Sequence, residues 1–324
     1  MSKNFRILSL DGGGIRGVYT AHILKRIQED TGIRLSDYFD LITGTSTGAI
    51  LAAALAMDKD INEVIELYKQ EGHNIFSSKF CPIKKYLGIS IPFIPCLNKG
   101  IFTRKYSQKI LKEQLENIFG DATMSDTNAN LMLFATDIAN ATPHVFKSPY
   151  DPEFTRDRGV KLCDAVLAST SAPVYFNPYL LDGKYLLADG GLWCNNPSIC
   201  AVAEAKNRFK KNHDEVELLS IGTIESKSYF EIKRNNHFLK KRFWGLIGWG
   251  TKVIDITLNL QSMVSHHNTD FLNLGKYLRI NTKEGYQVPM DDVSMIDDFI
   301  SKADKEYTYR SKEIMDFFTN KETK

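Results

Sequence analysis

The chain has 324 residues, of which 43% are hydrophobic and 25% are charged, and its formal net charge is +2. This composition is typical of a globular protein with enough residues for one large domain or two smaller ones. A nearly neutral chain has no general attraction for polyanions, so we expect no nucleic-acid polymer as a partner. The five cysteines are scattered and never spaced C-x-x-C, which favours reduced core thiols over disulfides or a zinc site.

Export and membrane-spanning signals are not evident in the sequence. The first apolar run ends at Asp11 and is shorter than the hydrophobic region of a signal peptide. The longest apolar stretches, 48–57 and 87–97, fall below the roughly 18 residues of a membrane-spanning helix. We therefore expect a cytoplasmic protein without a transmembrane segment.

Strand-like and helical segments alternate from the beginning of the chain. Residues 6–10 form an apolar run that predicts a buried strand, residues 11–17 break it with glycines, and 18–32 have helical spacing. The same order returns with a strand over 38–43, a glycine turn and an alanine-rich helix over 49–57. This alternation predicts an α/β domain with a mostly parallel central sheet.

Further elements are predicted along the rest of the chain. The predicted strands are 130–138, 144–147, 185–189, 216–222 and 276–281. The predicted helices lie near 107–119, 160–170, 197–209, 253–265 and 293–318. We expect a catalytic core over 5–205, with residues 206–324 packing on it and completing the same domain.

The segment 44–48, Gly-Thr-Ser-Thr-Gly, is a G-x-S-x-G motif between a predicted strand and a predicted helix. In one interpretation Ser46 is a nucleophile on a sharp turn, with Gly44 and Gly48 relieving crowding. The helix amino terminus would then face a developing oxyanion. In the other interpretation the segment is a Ser and Thr turn that caps a buried helix.

A glycine loop, residues 12–17 with the sequence Gly-Gly-Gly-Ile-Arg-Gly, follows the first predicted strand. It matches the dinucleotide-binding pattern, but the acidic residue required at the end of the second strand is missing, because Asp37 and Asp40 come before that end, which carries the turn 44–48 instead. The alternative is an oxyanion hole or anion nest of backbone amides. Arg16 would then either bind a phosphate or hold the loop. Neighbouring parallel strands would place this loop and Ser46 at one sheet edge.

The proton acceptor for Ser46 is the next question. The downstream histidines are His73, His144, His213, His237, His266 and His267. None follows a strand in a glycine-rich loop, so a core or solvated histidine is the better interpretation for each. Asp189 does follow a predicted strand and precedes Gly190 and Gly191, and burial would make its carboxylate a stronger base. The alternative is that Asp189 only forms an Asx-turn.

Together the segments 11–17, 44–48 and 189–191 resemble the patatin-like phospholipase family. They match its glycine-rich oxyanion loop, its nucleophile motif and its Asp-Gly-Gly motif in the same order, and the resemblance covers roughly residues 5–205. It implies a three-layer α/β/α patatin-like fold with a mostly parallel central sheet. It also implies that no metal and no cofactor is required.

The resemblance also implies a role for each matching residue. Ser46 and Asp189 become a catalytic dyad, and Gly12, Gly13 and Gly14 become the oxyanion loop. The supporting residues are Arg16, Gly17, Gly44, Gly48, Gly190 and Gly191. The implied reaction is hydrolysis of fatty-acyl esters of membrane phospholipids through an acyl-enzyme.

The chain most resembles bacterial members of this family. Some of these are cyclic-nucleotide-activated effectors of antiphage (CBASS) defence that degrade the host membrane. This subgroup would imply a cyclic dinucleotide activator, a change of oligomeric state to a homo-oligomer, and peripheral binding at the inner face of the cell membrane.

Two segments have alternative interpretations. Residues 81–100 are apolar and broken by prolines, which suits a lid over an acyl groove or an ordered connection. Residues 240–258 mix cations with tryptophans, which suits a lipid-docking surface or a helix packed on the core. Two rival functions also stay open: a nucleotide-binding or sensor protein that uses the glycine loop without hydrolysis, and a hydrolase with a histidine triad.

Overall fold

The computed structural model describes residues 4–76, 106–226 and 252–319. In these ranges the strands are β1 (Phe5–Leu10), β2 (Leu41–Thr45), β3 (Asn130–Asp137), β4 (Thr142–Lys147), β5 (Tyr179–Leu181), β6 (Tyr185–Asp189), β7 (Val216–Ile221), β8 (Glu225–Ser226), β9 (Lys276–Ile280) and β10 (Lys283–Glu284). The predicted segments 81–100 and 240–251 lie outside the described residues.

Helices lie between most of these strands. They are α1 (Gly17–Thr31), α2 (Leu35–Tyr38), α3 (Thr47–Ala56), α4 (Ile61–Glu66), α5 (Gly72–Ile75), α6 (Lys109–Phe119), α7 (Leu162–Ser169), α8 (Gly191–Cys194), α9 (Ser198–Asn207), α10 (Lys252–Asp270) and α11 (Ile296–Phe318). None of the helices described is both long and apolar enough to cross a membrane.

The sheet confirms the predicted α/β class. Its strand order is β5-β6-β3-β2-β1-β7-β9, and β4 pairs with β3 beside this path. The five strands from β3 to β9 run parallel, whereas β4 and β6 pair antiparallel with β3 and β5 pairs antiparallel with β6. Because β1 lies between β2 and β7, it is buried on both edges at the centre of the sheet.

Alternate residues of β1 point to opposite faces of the sheet, and each face has its own core. Leu8 and Leu10 belong to the larger cluster, which includes side chains of α1, α3, α6, α7 and α11. Phe5 and Ile7 belong to the second cluster, with side chains of α9 on the other face. The result is the three-layer α/β/α arrangement that the resemblance implied.

The carboxyl-terminal part of the chain joins the same sheet and core. Strands β7 and β9 extend the sheet beyond β1, and α11 packs on α1. Asp304 of α11 accepts hydrogen bonds from Arg26 at 2.7 Å and from His22 at 3.0 Å. The division of the domain at residue 205 stays a prediction.

The first two predicted strands are only partly placed correctly. Residues 6–10 lie within β1, but the predicted strand 38–43 is shifted, because Leu35–Tyr38 forms a helical turn and β2 begins at Leu41. The helix after it begins at Thr47 and not at Ala49. The short strand β5 and the helix α4 were not predicted, since neither has a clear periodic pattern.

The start of α3 lies unusually close to the end of β1, and glycine at position 48 makes this possible. A Cβ atom on Gly48 would lie 2.3 Å from the Leu10 carbonyl oxygen. A backbone oxygen cannot move away as a flexible side chain would. The packing of β1, β2 and α3 therefore requires glycine here.

We expect Gly48→Ala to lower the free energy of unfolding by about 1–3 kcal/mol, because the added methyl group would force α3 away from β1. Urea denaturation would measure the change. Gly159→Ala is the matched control, since a Cβ there meets no atom within 4 Å, and it should change stability by less than about 0.5 kcal/mol. Equal denaturation midpoints for the two variants would contradict the packing argument.

Candidate active site

Ser46 lies on the sharp turn between β2 and α3. Its backbone has φ 55° and ψ −123°, a conformation that residues other than glycine rarely adopt. The Ser46 amide donates a hydrogen bond to the Ser169 hydroxyl at 2.9 Å, and that hydroxyl donates to the Phe134 carbonyl at 2.6 Å. The strained turn is thus held by α7 and β3, as expected of a nucleophile elbow.

Asp189 lies at the end of β6, directly beside this turn. Along one edge of β3, Phe134 pairs with Thr45 of β2 and the next residue, Ala135, pairs with Asp189 of β6. The ends of β2 and β6 therefore meet. The Asp189 carboxylate forms a side-chain hydrogen bond with Ser46 and accepts another from the Gly191 amide at 2.7 Å. The structure therefore brings together the two side chains that the sequence paired.

The environment of the Asp189 carboxylate shifts its acidity. Burial raises the pKa of Asp189 from 3.8 to about 6, and the hydrogen bonds from Ser46 and Gly191 offset only part of this rise. Only 3% of the residue is exposed. A carboxylate with a pKa near 6 is a stronger base than an exposed one and still mostly ionised at neutral pH.

The glycine loop leaves β1 beside Ser46. Gly13 and Gly14 line the cleft next to Ser46. Gly12 approaches Ser46 so closely that a Cβ there would lie 3.1 Å from the Ser46 Cβ, but its amide donates to the Asn195 carbonyl at 3.0 Å. Of the three backbone amides in the predicted oxyanion loop, the one of Gly12 is thus already hydrogen-bonded within the protein.

Arg16 holds the loop from behind. Its Nε donates to the Gly13 carbonyl at 3.1 Å, and its guanidinium also reaches the Ile224 carbonyl at 3.3 Å. The side chain is buried and does not line the cleft. Of the two roles the sequence left open for Arg16, this geometry favours support of the loop over binding of a phosphate.

The remaining predicted supporting residues lie where neighbouring backbone or side-chain atoms approach closely. These are Gly17, Gly44 and Gly48 around the start of α3, and Gly190 and Gly191 beside Asp189. At each of them an added Cβ would lie less than 3.0 Å from a neighbouring atom.

An apolar cleft opens above Ser46 and Asp189. Its cavity volume is about 60 Å³, which makes it a narrow slot. The apolar side chains in its wall include Ile50, Leu67, Ile75, Leu111, Phe176 and Leu258. Such a lining suits a hydrocarbon chain, and a cleft this narrow must widen to admit one. Leu258 belongs to α10, so this part of the predicted segment 240–258 packs on the core.

No histidine lines the part of the cleft that the structure describes. His144 is buried between the rings of Phe146 and Tyr185, and burial, with the nearby Arg156 charge, lowers its pKa to about 4. The Nδ1 atom of His266 lies 2.7 Å from the Tyr277 hydroxyl. His237 lies outside the described residues. No cluster of three or more potential metal ligands occurs in 4–76, 106–226 or 252–319.

Three residues near the site were not predicted from the sequence. Ser169 fixes the Ser46 turn, as described above. Asn195 binds Gly12 in both directions, because its Nδ2 also donates to the Gly12 carbonyl at 3.3 Å. Asp11 forms a two-pronged ion pair with Arg279, with distances of 2.7 and 2.6 Å. Asp11 lies in the first predicted motif and Asn195 follows the third, whereas Ser169 is outside all of them, and only contacts with residues distant in the sequence reveal what the three do.

Comparison with known proteins shows the family of this chain. The family model for patatin-like phospholipases matches residues 8–199. A cGAMP-activated phospholipase of Escherichia coli is 34% identical over 270 residues, covering 78% of this chain and 71% of that protein. A cGAMP-activated phospholipase of Vibrio cholerae is 30% identical over 355 residues, covering 98% and 95%.

A solved structure shares the fold at low sequence similarity. The crystal structure of VipD from Legionella pneumophila aligns with a TM-score of 0.50 and 16% identity, covering 97% of this chain and 67% of that one. The family model spans more than half of the chain, from β1 to the start of α9. The chain therefore belongs to the patatin-like phospholipase family, whose members hydrolyse lipid esters.

Proposed function

We propose that this protein is a phospholipase that cleaves fatty-acyl esters of membrane phospholipids through a Ser46–Asp189 dyad. The observation that carries the proposal is the hydrogen bond between a serine on a strained turn and a buried aspartate, at the end of an apolar cleft. The cleft would hold the acyl chain, and the ester carbonyl would lie against Ser46.

The reaction follows from these positions. Asp189 accepts the hydroxyl proton as the Ser46 oxygen attacks the carbonyl carbon, and the amides of Gly13 and Gly14 bind the resulting oxyanion. The proton then passes to the leaving alcohol, which departs and leaves an acyl-enzyme. Water, deprotonated by the same carboxylate, attacks the acyl-enzyme and releases the fatty acid, and Ser46 recovers its proton.

Activation by a cyclic dinucleotide is the second part of the proposal. The two relatives described above are named as cGAMP-activated phospholipases, and the narrow cleft of this chain suits an enzyme that must open before it acts. The activated enzyme, assembled as a homo-oligomer, would act at the inner face of the cell membrane and degrade it in antiphage defence.

The dyad is tested by fatty-acid release from phospholipid vesicles in the presence of cGAMP. We expect Ser46→Ala to reduce the rate by at least about 10³-fold, because the nucleophile is lost. Asp189→Asn should reduce it by about 10²- to 10⁴-fold, because the amide cannot accept the proton. Ser36→Ala and Asp137→Asn, buried residues outside the cleft, are the matched controls and should keep near wild-type rates.

Activity that survives both dyad substitutions would refute the dyad. A histidine triad predicts that replacing a downstream histidine stops turnover while Asp189→Asn does not. A sensor that only binds nucleotide predicts no fatty-acid release from the wild type and no labelling of Ser46 by a fluorophosphonate probe.

The pH dependence of Ser46 labelling is a separate prediction. The pKa of Asp189 is about 6, and only the ionised carboxylate accepts the serine proton. We therefore expect the labelling rate to rise with pH and to reach half its maximum near pH 6. A rate that is constant between pH 5 and pH 7 would contradict this assignment of the base.

The same raised pKa predicts a pH-dependent stability. Between pH 4 and pH 6 the folded protein holds the Asp189 proton that the unfolded chain has released, so this residue contributes less stability as the pH rises. A rise of about two pKa units corresponds to roughly 3 kcal/mol. We compare the free energy of unfolding of Asp189→Asn with that of the wild type. The difference, variant minus wild type, should be about 1–3 kcal/mol larger at pH 7.5 than at pH 4.

Urea denaturation at the two pH values measures this difference. Asp137→Asn is the control, because it replaces a carboxylate whose pKa is lowered by hydrogen bonds, chiefly from Asn140. A stability difference for Asp189→Asn that is the same at both pH values would count against the raised pKa.

A further inference from the structure

A second cavity lies at the edge of the sheet, between α10, β9 and α11. Its volume is about 590 Å³, within the roughly 300–1,000 Å³ of small-molecule sites. We call it the edge groove. Its walls come from α10, from β9, from the segment after β9 that includes β10, and from Arg310 of α11.

Cations on two sides of the edge groove suit phosphate groups. Lys283 is 60% exposed and lies 3.6 Å from Glu225. Across the groove, the Arg310 guanidinium of α11 donates to the backbone carbonyl of Arg279 in β9 and also pairs with Glu313 at 2.8 Å, so a phosphate would compete with Glu313 for it. Glu225 and Asp270 are the acidic residues in the wall, and a phosphate would compete with Glu225 for Lys283.

Rings and amides in the same wall suit nucleobases. Tyr277 and His266 form one pair, with ring centres 5.7 Å apart, and His267 adds a second imidazole. Asn259 and Asn281 supply amide groups of the kind that read base edges. Flat rings that stack on bases, together with cations for phosphates, are the usual means of binding nucleotides.

The floor of the edge groove is connected to the glycine loop. Arg279 pairs with Asp11, and the Ser262 hydroxyl donates to Asp11 at 3.0 Å. Asn195 donates to the Ser262 oxygen at 2.9 Å and holds Gly12, as described above. Arg279 and Ser262 thus belong both to the edge groove and to the support of the oxyanion loop.

Helix α10 makes a second connection. It contributes Ser262 and His266 to the edge groove and Leu258 to the apolar cleft. A ligand that moves α10 would therefore change the width of the cleft as well as the support of the glycine loop.

We propose that the edge groove binds the cyclic dinucleotide activator, and that α10 with the Arg279–Asp11 pair transmits binding to the active site. This inference rests on the activation that is part of the proposed function. The ligand it requires has two phosphodiester groups and two bases, which match the cations and the rings of the groove.

Binding of cGAMP to the full chain, measured by titration calorimetry, tests the groove. Lys283→Glu should bind about 10- to 100-fold more weakly than the wild type, because it replaces a charge-assisted contact with repulsion. The matched control is Lys305→Glu, an exposed lysine of α11 outside the groove, which should bind as the wild type does. His267→Ala, at another exposed position in the wall, should also weaken binding.

A second measurement tests the connection to the active site. Ser262→Ala removes the hydroxyl between Asp11 and Asn195 but leaves the cations and rings of the groove in place. We expect it to bind cGAMP within about threefold of the wild type and to lose about 5- to 150-fold of the cGAMP-stimulated fatty-acid release. An unchanged stimulated rate would overturn the proposed connection.

The outcomes separate the groove from the proposed function. The edge groove would be excluded as the binding site if cGAMP bound equally well to Lys283→Glu, His267→Ala and Lys305→Glu. Activation by cGAMP would not be affected by that result. Failure of the wild type to bind cGAMP would overturn both activation by cGAMP and the edge groove as its binding site. Fluorophosphonate labelling of Ser46 would still test the hydrolase in that case.

Discussion

The close approach of α3 to the end of β1 is the constraint on which the rest of the structure depends. β1 and β2 are parallel neighbours with Leu10 paired to Gly44, so the loops that follow them leave the sheet at the same level. The Leu10 carbonyl lies so near to Gly48 that no side chain fits between them. The serine turn and the glycine loop consequently lie side by side, which is the arrangement that the proposed reaction requires.

Asp189 completes this arrangement from a different part of the chain. Its strand reaches the site only because β3 pairs with both β2 and β6 along one edge. The carboxylate is then buried beside Ser46, and burial raises its pKa. The same burial that makes it a better base also destabilises the ionised form of the folded protein. Greater basicity of the carboxylate and greater stability of the folded protein are in opposition at this position.

A buried polar network extends from the site to the edge of the sheet. It runs from Gly12 through Asn195 and Ser262 to Asp11 and Arg279. These contacts favour a single arrangement, because breaking one of them leaves a charge or a donor unpaired, although the Asn195 Oδ1 atom has no hydrogen-bond partner among the described residues. This network connects the glycine loop to β9 and α10, which are distant from it in the sequence.

The sequence by itself determined the local features of this protein. The glycines of 12–17 and 44–48 were readable because tight turns and close backbone contacts impose a residue type at fixed spacing. Alternation of strands and helices was readable because burial imposes a period on each. The boundaries of β2 and the short strand β5 could not be predicted from the sequence, since a helical turn and a three-residue strand leave no periodic pattern.

Only the tertiary structure gave the contacts that bear on the open interpretations. Asp189 could have been an Asx-turn or a base, and in the fold its carboxylate accepts from Gly191 and bonds with Ser46 as well. Arg16 could have bound phosphate, and in the fold it bonds with the Gly13 carbonyl. The pairing of Asp11 with Arg279 joins residues 268 positions apart. Such contacts have no local signature, because they arise from the order in which the strands pair, which residue spacing along the chain does not encode.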